Sequence, residues 1–133
     1  MQNNTFSIAV LGAGNIGSAV LTRLQELDDK VLNLDLKKVL VSDTSKDRAV
    51  SKDLLTDNFD DILNDDSIDL VIEVLGGVDP GKEYIKALLE KGKAVITANK
   101  DIIADCGQEL ITLAEETIPV FILKLLLLRE SLY

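Results

Sequence analysis

Residues 8–17 read Ile-Ala-Val-Leu-Gly-Ala-Gly-Asn-Ile-Gly, an apolar run that meets Gly12, Gly14 and Gly17 just where helical periodicity begins. This order constrains the fold more than any other part of the chain. A continuous apolar run bounded by glycine suits a parallel strand buried on both faces. A G-x-G-x-x-G turn between such a strand and a helix can receive a pyrophosphate. The first glycine allows the tight turn, the second a close backbone approach and the third close packing of helix on strand. The helix N-terminus adds N–H groups and a positive dipole. The other reading is a glycine-rich turn with a purely structural purpose; the apolar strand before it and the amphipathic helix after it favour the dinucleotide. Gly12, Ala13, Gly14, Asn15, Ile16 and Gly17 are thus the first candidate cofactor-binding residues.

The rest of the chain alternates strand and helix. Ile16, Val20, Leu24 and Leu27 recur at helical spacing, and residues 31–38 lead ambiguously into a second strand at 39–41 that ends at Ser42-Asp43. Residues 44–66 are polar and weakly periodic, with short helical turns expected near 47–55 and 59–63. Residues 69–75 form a third buried strand that stops at Gly76-Gly77. Asp79 then caps a helix with Pro80 at its first position and Gly92 at its end, and Tyr84, Ile85, Leu88 and Leu89 form its apolar face. A fourth strand at 94–97, helical sequence from about 107 to 116 and a fifth strand at 118–123 complete the pattern. Strands alternating with helices specify an α/β fold with a Rossmann-like, doubly wound parallel sheet. The expected organisation is a single domain over residues 1–123, followed by an apolar tail over 124–133.

Composition removes several function classes. The net charge of −9 disfavours nucleic acid and anionic membrane as partners, since both need a positive field. With no histidine, Ser-His and Cys-His nucleophile pairs and the commonest metal ligand are missing, so no metal site is expected. The single Cys106 rules out an intramolecular disulfide and suits a reducing compartment. The N-terminus lacks the charged and apolar regions of a signal peptide, and no apolar run reaches the roughly 18 residues of a membrane span. The expected location is cytoplasmic.

A doubly wound sheet gathers ligands at the carboxyl ends of its strands, and those ends supply the remaining candidates. Asp43 follows Gly17 by 26 residues. It can bind the adenosine ribose hydroxyls of NAD, or it can be a solvated turn aspartate. Ser42, Ser45, Lys46 and Arg48 can instead hold the 2′-phosphate of NADP, so NADP and NAD both stay open. Glu73 is a carboxylate inside an apolar strand, read first as a hydrogen-bonded structural acid on an edge, or one supporting the site from behind, and second as a site residue with raised pKa. Gly76 and Gly77, following Leu75 at the end of the third strand, allow close backbone approach of the ribose–nicotinamide portion. Thr97 and Lys100 stand at the mouth of the fourth strand, with Lys100 on the substrate or nicotinamide side. Cys106, with no histidine to activate it, is read as a packed thiol.

Taken together, the segments 10–17, 69–77 and 94–100, continued by Ile103-Ala104 and by 107–110, resemble the N-terminal NAD(P)-binding domain of homoserine dehydrogenase. The glycine turn is shared by many dehydrogenases; Glu-x-x-Gly-Gly followed by Thr-Ala-Asn-Lys is specific. The resemblance covers most of residues 6–117. It implies NAD(P)-dependent interconversion of aspartate 4-semialdehyde and L-homoserine, in the branch leading to threonine and methionine. It places the dinucleotide on Gly12 to Gly17, with Leu75, Gly76 and Thr97 lining it, and makes Lys100, near its reactive end, the one catalytic candidate. Many family members carry arginine where Ser42 stands. The resemblance also implies that the substrate-binding and catalytic region, with a second lysine for proton transfer, is absent, and that residues 122–133 depart from the family's continuation. The expected protein is therefore a shortened form that binds dinucleotide weakly at best and turns over little substrate alone, with self-association left open. Two alternatives remain: a nucleotide-sensing Rossmann module of a potassium transport system, and the cofactor domain of another amino-acid enzyme such as aspartate dehydrogenase.

Overall fold

The computed structural model describes residues 5–14, 17–19, 21–22, 33–48, 50–97 and 99–117. Among them, five parallel strands form one sheet: β1 (Thr5–Leu11), β2 (Asn33–Leu40), β3 (Leu55–Thr56), β4 (Leu70–Glu73) and β5 (Ala94–Thr97). Their order is β3-β2-β1-β4-β5. The chain builds outward from β1 in one direction through β2 and β3, then returns to build outward in the other through β4 and β5. The strand order therefore reverses between β1 and β4, where a crevice opens at the carboxyl ends of the strands.

Side-chain alternation along β1 divides the core between the two faces of the sheet. Ala9 and Leu11 join Ile85, Leu88 and Leu89 of the Gly81–Glu90 helix, Ile102 and Leu110 of the Lys100–Thr117 helix, and Ile62 of the short Asp60–Leu63 helix. Val10 joins Val39, Val50, Leu55 and Leu21 on the opposite face. Residues 17–19 and 21–22 are helical, with Gly17 and Leu21 buried one turn apart. Ile16, Val20, Leu24 and Leu27, expected to form this helix's apolar face, lie outside the described residues, as does the fifth strand expected at 118–123. No helix among the described residues is long and apolar enough to cross a membrane.

Several boundaries differ from expectation, each for a local reason. β2 begins at Asn33, well before the expected 39–41. Its alternation is interrupted by an irregularity that pairs Ile8 with Leu36 but Ala9 with Lys38, leaving Lys37 as the extra residue. Lys37 instead pairs with Asp35 at 3.1 Å on an exposed surface, so two adjacent lysines sit comfortably in a strand. β3, expected as a helical turn, is only two residues long; it follows a 3₁₀ turn at Lys52–Leu54. β4 ends at Glu73 rather than residue 75, because the Leu75 N–H turns to the Glu73 carboxylate at 2.8 Å. The cap of the Gly81–Glu90 helix is Pro80, not Asp79, and no side chain caps it.

The last described helix starts at Lys100, seven residues before the expected 107. Its backbone breaks at Cys106 (φ −147°, ψ 23°), so the periodicity before and after that residue belongs to two segments. Asn99 starts the first segment, its side-chain oxygen accepting from the N–H groups of Asp101 (3.0 Å) and Ile102 (3.2 Å).

Candidate functional site

The glycine turn leaves β1 at the switch point. Gly12 has φ +101°, a conformation that L side chains rarely adopt, and its N–H continues the ladder by donating to Leu40 O at 2.9 Å. A Cβ on Gly17 would sit 2.6 Å from the Gly12 carbonyl oxygen, so any side chain there would push the helix off the turn. A Cβ on Gly14 would meet nothing within 4 Å. It would project into open space beside the turn. These are the conditions for a backbone that receives a bulky anionic group.

This turn forms one wall of a cleft of about 610 Å³. The end of β2 supplies Leu40, Val41 and Ser42, and the loop after it supplies Arg48. The segment after β4 supplies Val74, Leu75 and Gly76, the start of the Gly81–Glu90 helix supplies Pro80 and Tyr84, and Asp57 comes from just after β3. Of the candidates from the sequence, Gly12, Ala13, Gly14, Ser42, Leu75 and Gly76 meet around this space. Gly17 lies behind the turn and supports it. Asn15 and Ile16 fall outside the described residues.

Asp43, Thr97 and Lys100 are not among the residues lining the cleft. The Asp43 carboxylate accepts from the Ser45 hydroxyl at 2.6 Å and the Ser45 N–H at 2.9 Å, closing a local turn. Those two hydrogen bonds, the hydroxyl's first, hold its pKa below the ordinary value. Thr97 is buried and donates its hydroxyl to Glu73. Lys100 is exposed at the start of the helix that follows β5.

Glu73 is fully buried at the end of β4. Its two oxygens receive the Thr97 hydroxyl, the Leu75 N–H and, at 3.4 Å, the Asn99 side-chain amide. Burial pushes the carboxyl's pKa up, and these hydrogen bonds oppose the shift. Glu73 is thus a hydrogen-bonded structural acid, but not on an edge as expected from the sequence, because β4 lies between β1 and β5.

Arg48 is the residue that sequence reasoning weighed but underrated. Its Nη1 donates to Ala13 O and its Nη2 to Asp43 O, each at 3.2 Å, so it bridges the glycine turn and the end of β2. Its Nε is buried with no hydrogen-bond partner. The local hint was the grouping of Ser42, Ser45, Lys46 and Arg48, which points to a phosphate and not to a bridge between loops. Tyr84, read from the sequence as core, lines the cleft and stacks on Phe59 with ring centroids 4.0 Å apart.

Comparison with known proteins decides the family. The model described as "Homoserine dehydrogenase, NAD binding domain" matches residues 12–122. The chain belongs to this homoserine dehydrogenase NAD-binding family.

Its relatives include homoserine dehydrogenases of Bacillus subtilis, 40% identical over 82% of this chain, and of Mycobacterium leprae, 38% identical over 86%. The chain spans 27% of the length of each of these two relatives. Among solved structures, Staphylococcus aureus homoserine dehydrogenase at pH 7.0 superposes with TM-score 0.78 at 38% identity, covering 85% of this chain and 31% of that one. A hyperthermophilic archaeal homoserine dehydrogenase in complex with NADPH shares the fold, with TM-score 0.67 at 19% identity over 86% of this chain and 43% of that one. The resemblance read from 10–17, 69–77 and 94–100 is borne out. The potassium-transport sensing module and aspartate dehydrogenase are not favoured.

Proposed function

We propose that the chain binds NADP(H) or NAD(H) across this cleft and serves the interconversion of L-homoserine and aspartate 4-semialdehyde, on the route to threonine and methionine. The observation that carries the reading is the shared cleft: a left-handed Gly12 turn and the Leu75–Gly76 segment face one space where the strand order reverses. In this reading, residues 12–17 receive the pyrophosphate, Ser42, Asp43 and Arg48 lie toward the adenosine ribose, and Leu75 and Gly76 lie toward the nicotinamide. Thr97 and Lys100 act from the neighbouring strand end, with Lys100 nearest the reacting groups. When bound, the nicotinamide supplies or accepts the hydride. The domain itself contributes orientation and a backbone surface for the phosphates.

Residues 1–123 constitute this binding unit and residues 124–133 a tail. Turnover of homoserine draws on groups outside the unit, consistent with the 27% of relatives' length that the chain spans. A cytoplasmic location and homo-oligomeric assembly of the longer enzyme belong to the same reading, with neither nucleic acid nor membrane as partner. The net charge of −9 supports that last point.

The test is separate titration of the 133-residue chain with NADPH and NADH, following nucleotide fluorescence and melting temperature. Saturable binding of at least one is expected, with little homoserine-dependent turnover. Binding of neither would overturn the reading.

A further inference from the structure

We propose that Asn99 is a positioning residue: its side-chain amide clamps the Leu75–Gly77 segment in the shape that receives the nicotinamide half of the dinucleotide. The inference rests on the cofactor reading above and assigns a role to a residue outside the cleft lining.

The geometry gives Asn99 two separate tasks. Its Oδ1 caps the helix that begins at Lys100. Its Nδ2 turns the other way, toward Gly77 O at 2.6 Å, Leu75 O at 3.0 Å and Glu73 Oε2 at 3.4 Å. The amide orientation is fixed by its surroundings, since backbone N–H groups face the oxygen and carbonyl or carboxylate oxygens face the nitrogen. Capping alone does not require asparagine, because serine, threonine or aspartate serves as well. Two donor hydrogens reaching across to another loop do require an amide.

The clamped segment needs such support. Val74 still donates its N–H to Leu11 O at 2.9 Å, and beyond it side chains take over the segment's polar groups. Glu73 accepts the Leu75 N–H, and Asn99 donates to the Leu75 and Gly77 carbonyls. Gly77 sits at φ +71°. Glu73 is held in turn by the Thr97 hydroxyl. Gly81 leaves it room, since a Cβ there would approach Glu73 Oε2 to 3.4 Å and Ile102 Cδ1 to 2.9 Å. The end of β5 thus sets the shape of the loop after β4, and Leu75 and Gly76 carry that shape into the cleft.

Asn99→Ser keeps a capping oxygen and removes the reach; Asn99→Asp keeps the cap and sets a carboxylate against Glu73 and two carbonyls. In the full chain, Asn99→Ser is expected to raise the Kd for the preferred reduced dinucleotide about tenfold while changing the Kd for ADP, which lacks the nicotinamide half, less than about twofold. Without ligand, hydrogen exchange at the Leu75 amide, which donates to Glu73 inside the clamped segment, should accelerate. Asn99→Asp should do the same more strongly, and Asn99→Thr, which also keeps a capping oxygen, stands in if the serine variant fails to fold. Equal losses for dinucleotide and ADP, or unchanged exchange at the Leu75 amide, would overturn the clamp. Failure of the unmodified chain to bind any dinucleotide would instead overturn the cofactor reading, and the exchange measurement would still decide whether Asn99 holds the segment.

Discussion

A Cβ built on Gly17 lies 2.6 Å from the carbonyl oxygen of Gly12, closer than real Cβ contacts allow. The first and last glycines of the turn are therefore in mutual contact, and the helix that follows β1 is seated by that contact. Gly17→Ala should cost about 1–3 kcal/mol by overpacking. It should also weaken dinucleotide binding, because the displaced atom belongs to the turn itself. Chemical denaturation and nucleotide titration of the same variant check both effects. Full retention of stability would show that the helix shifts freely.

Arg48 ties Ala13 O to Asp43 O and keeps a buried, unpartnered Nε beside the cleft. Arg48→Gln should lose about tenfold in affinity for NADPH, and clearly less for NADH, if the guanidinium answers the 2′-phosphate as well as bracing the turn. Equal losses for the two dinucleotides would leave it a brace alone. The comparison is made by fluorescence titration at fixed salt.

Burial holds the Glu73 carboxyl above its ordinary value of 4.5, so the folded chain binds that proton more tightly than the unfolded chain does. The resulting contribution to stability is complete below 4.5 and is lost as pH rises through the raised value. Glu73→Gln keeps an oxygen for the Leu75 N–H and an amide that can donate to the Thr97 hydroxyl oxygen, but it cannot titrate. The difference in melting temperature between the native chain and this variant should therefore move against the native chain as pH rises from the acid side. Parallel curves across the acidic range would contradict the assignment.

Where signals were local, the sequence could be read directly. The glycine turn, the apolar runs of β1 and β5, and the apolar face of the Gly81–Glu90 helix each sit within about a dozen consecutive residues. β2 was partly hidden because Lys37 is an extra residue that breaks the two-residue period. β3 was hidden because two residues carry no period at all. The site divided in the same way. Gly12, Gly14, Leu75 and Gly76 followed from glycine chemistry and strand ends. The Arg48 bridge joins residues 35 apart, and the Asn99 clamp joins residues 22 and 24 apart. Pairings at that separation leave no mark on local pattern and appear only once β1, β2, β4 and β5 lie side by side.

Among the described residues, two oppositely charged side chains are buried against the sheet, and they occupy opposite poles. Glu73 closes the carboxyl end of β4. Lys93 stands just before β5 and donates to the carbonyls of Asp65 (2.6 Å) and Ile68 (3.0 Å). Neither charge neutralises the other; each is solvated by groups at its own end of the strands. The molecule thus has a scaffold pole and a ligand pole. Damage at Lys93 would register as lost folding with whatever affinity the surviving molecules retain, whereas damage at Glu73 would register in both. A survey of substitutions read out by abundance and by binding would separate along the strand axis, with the boundary running through the middle of the sheet.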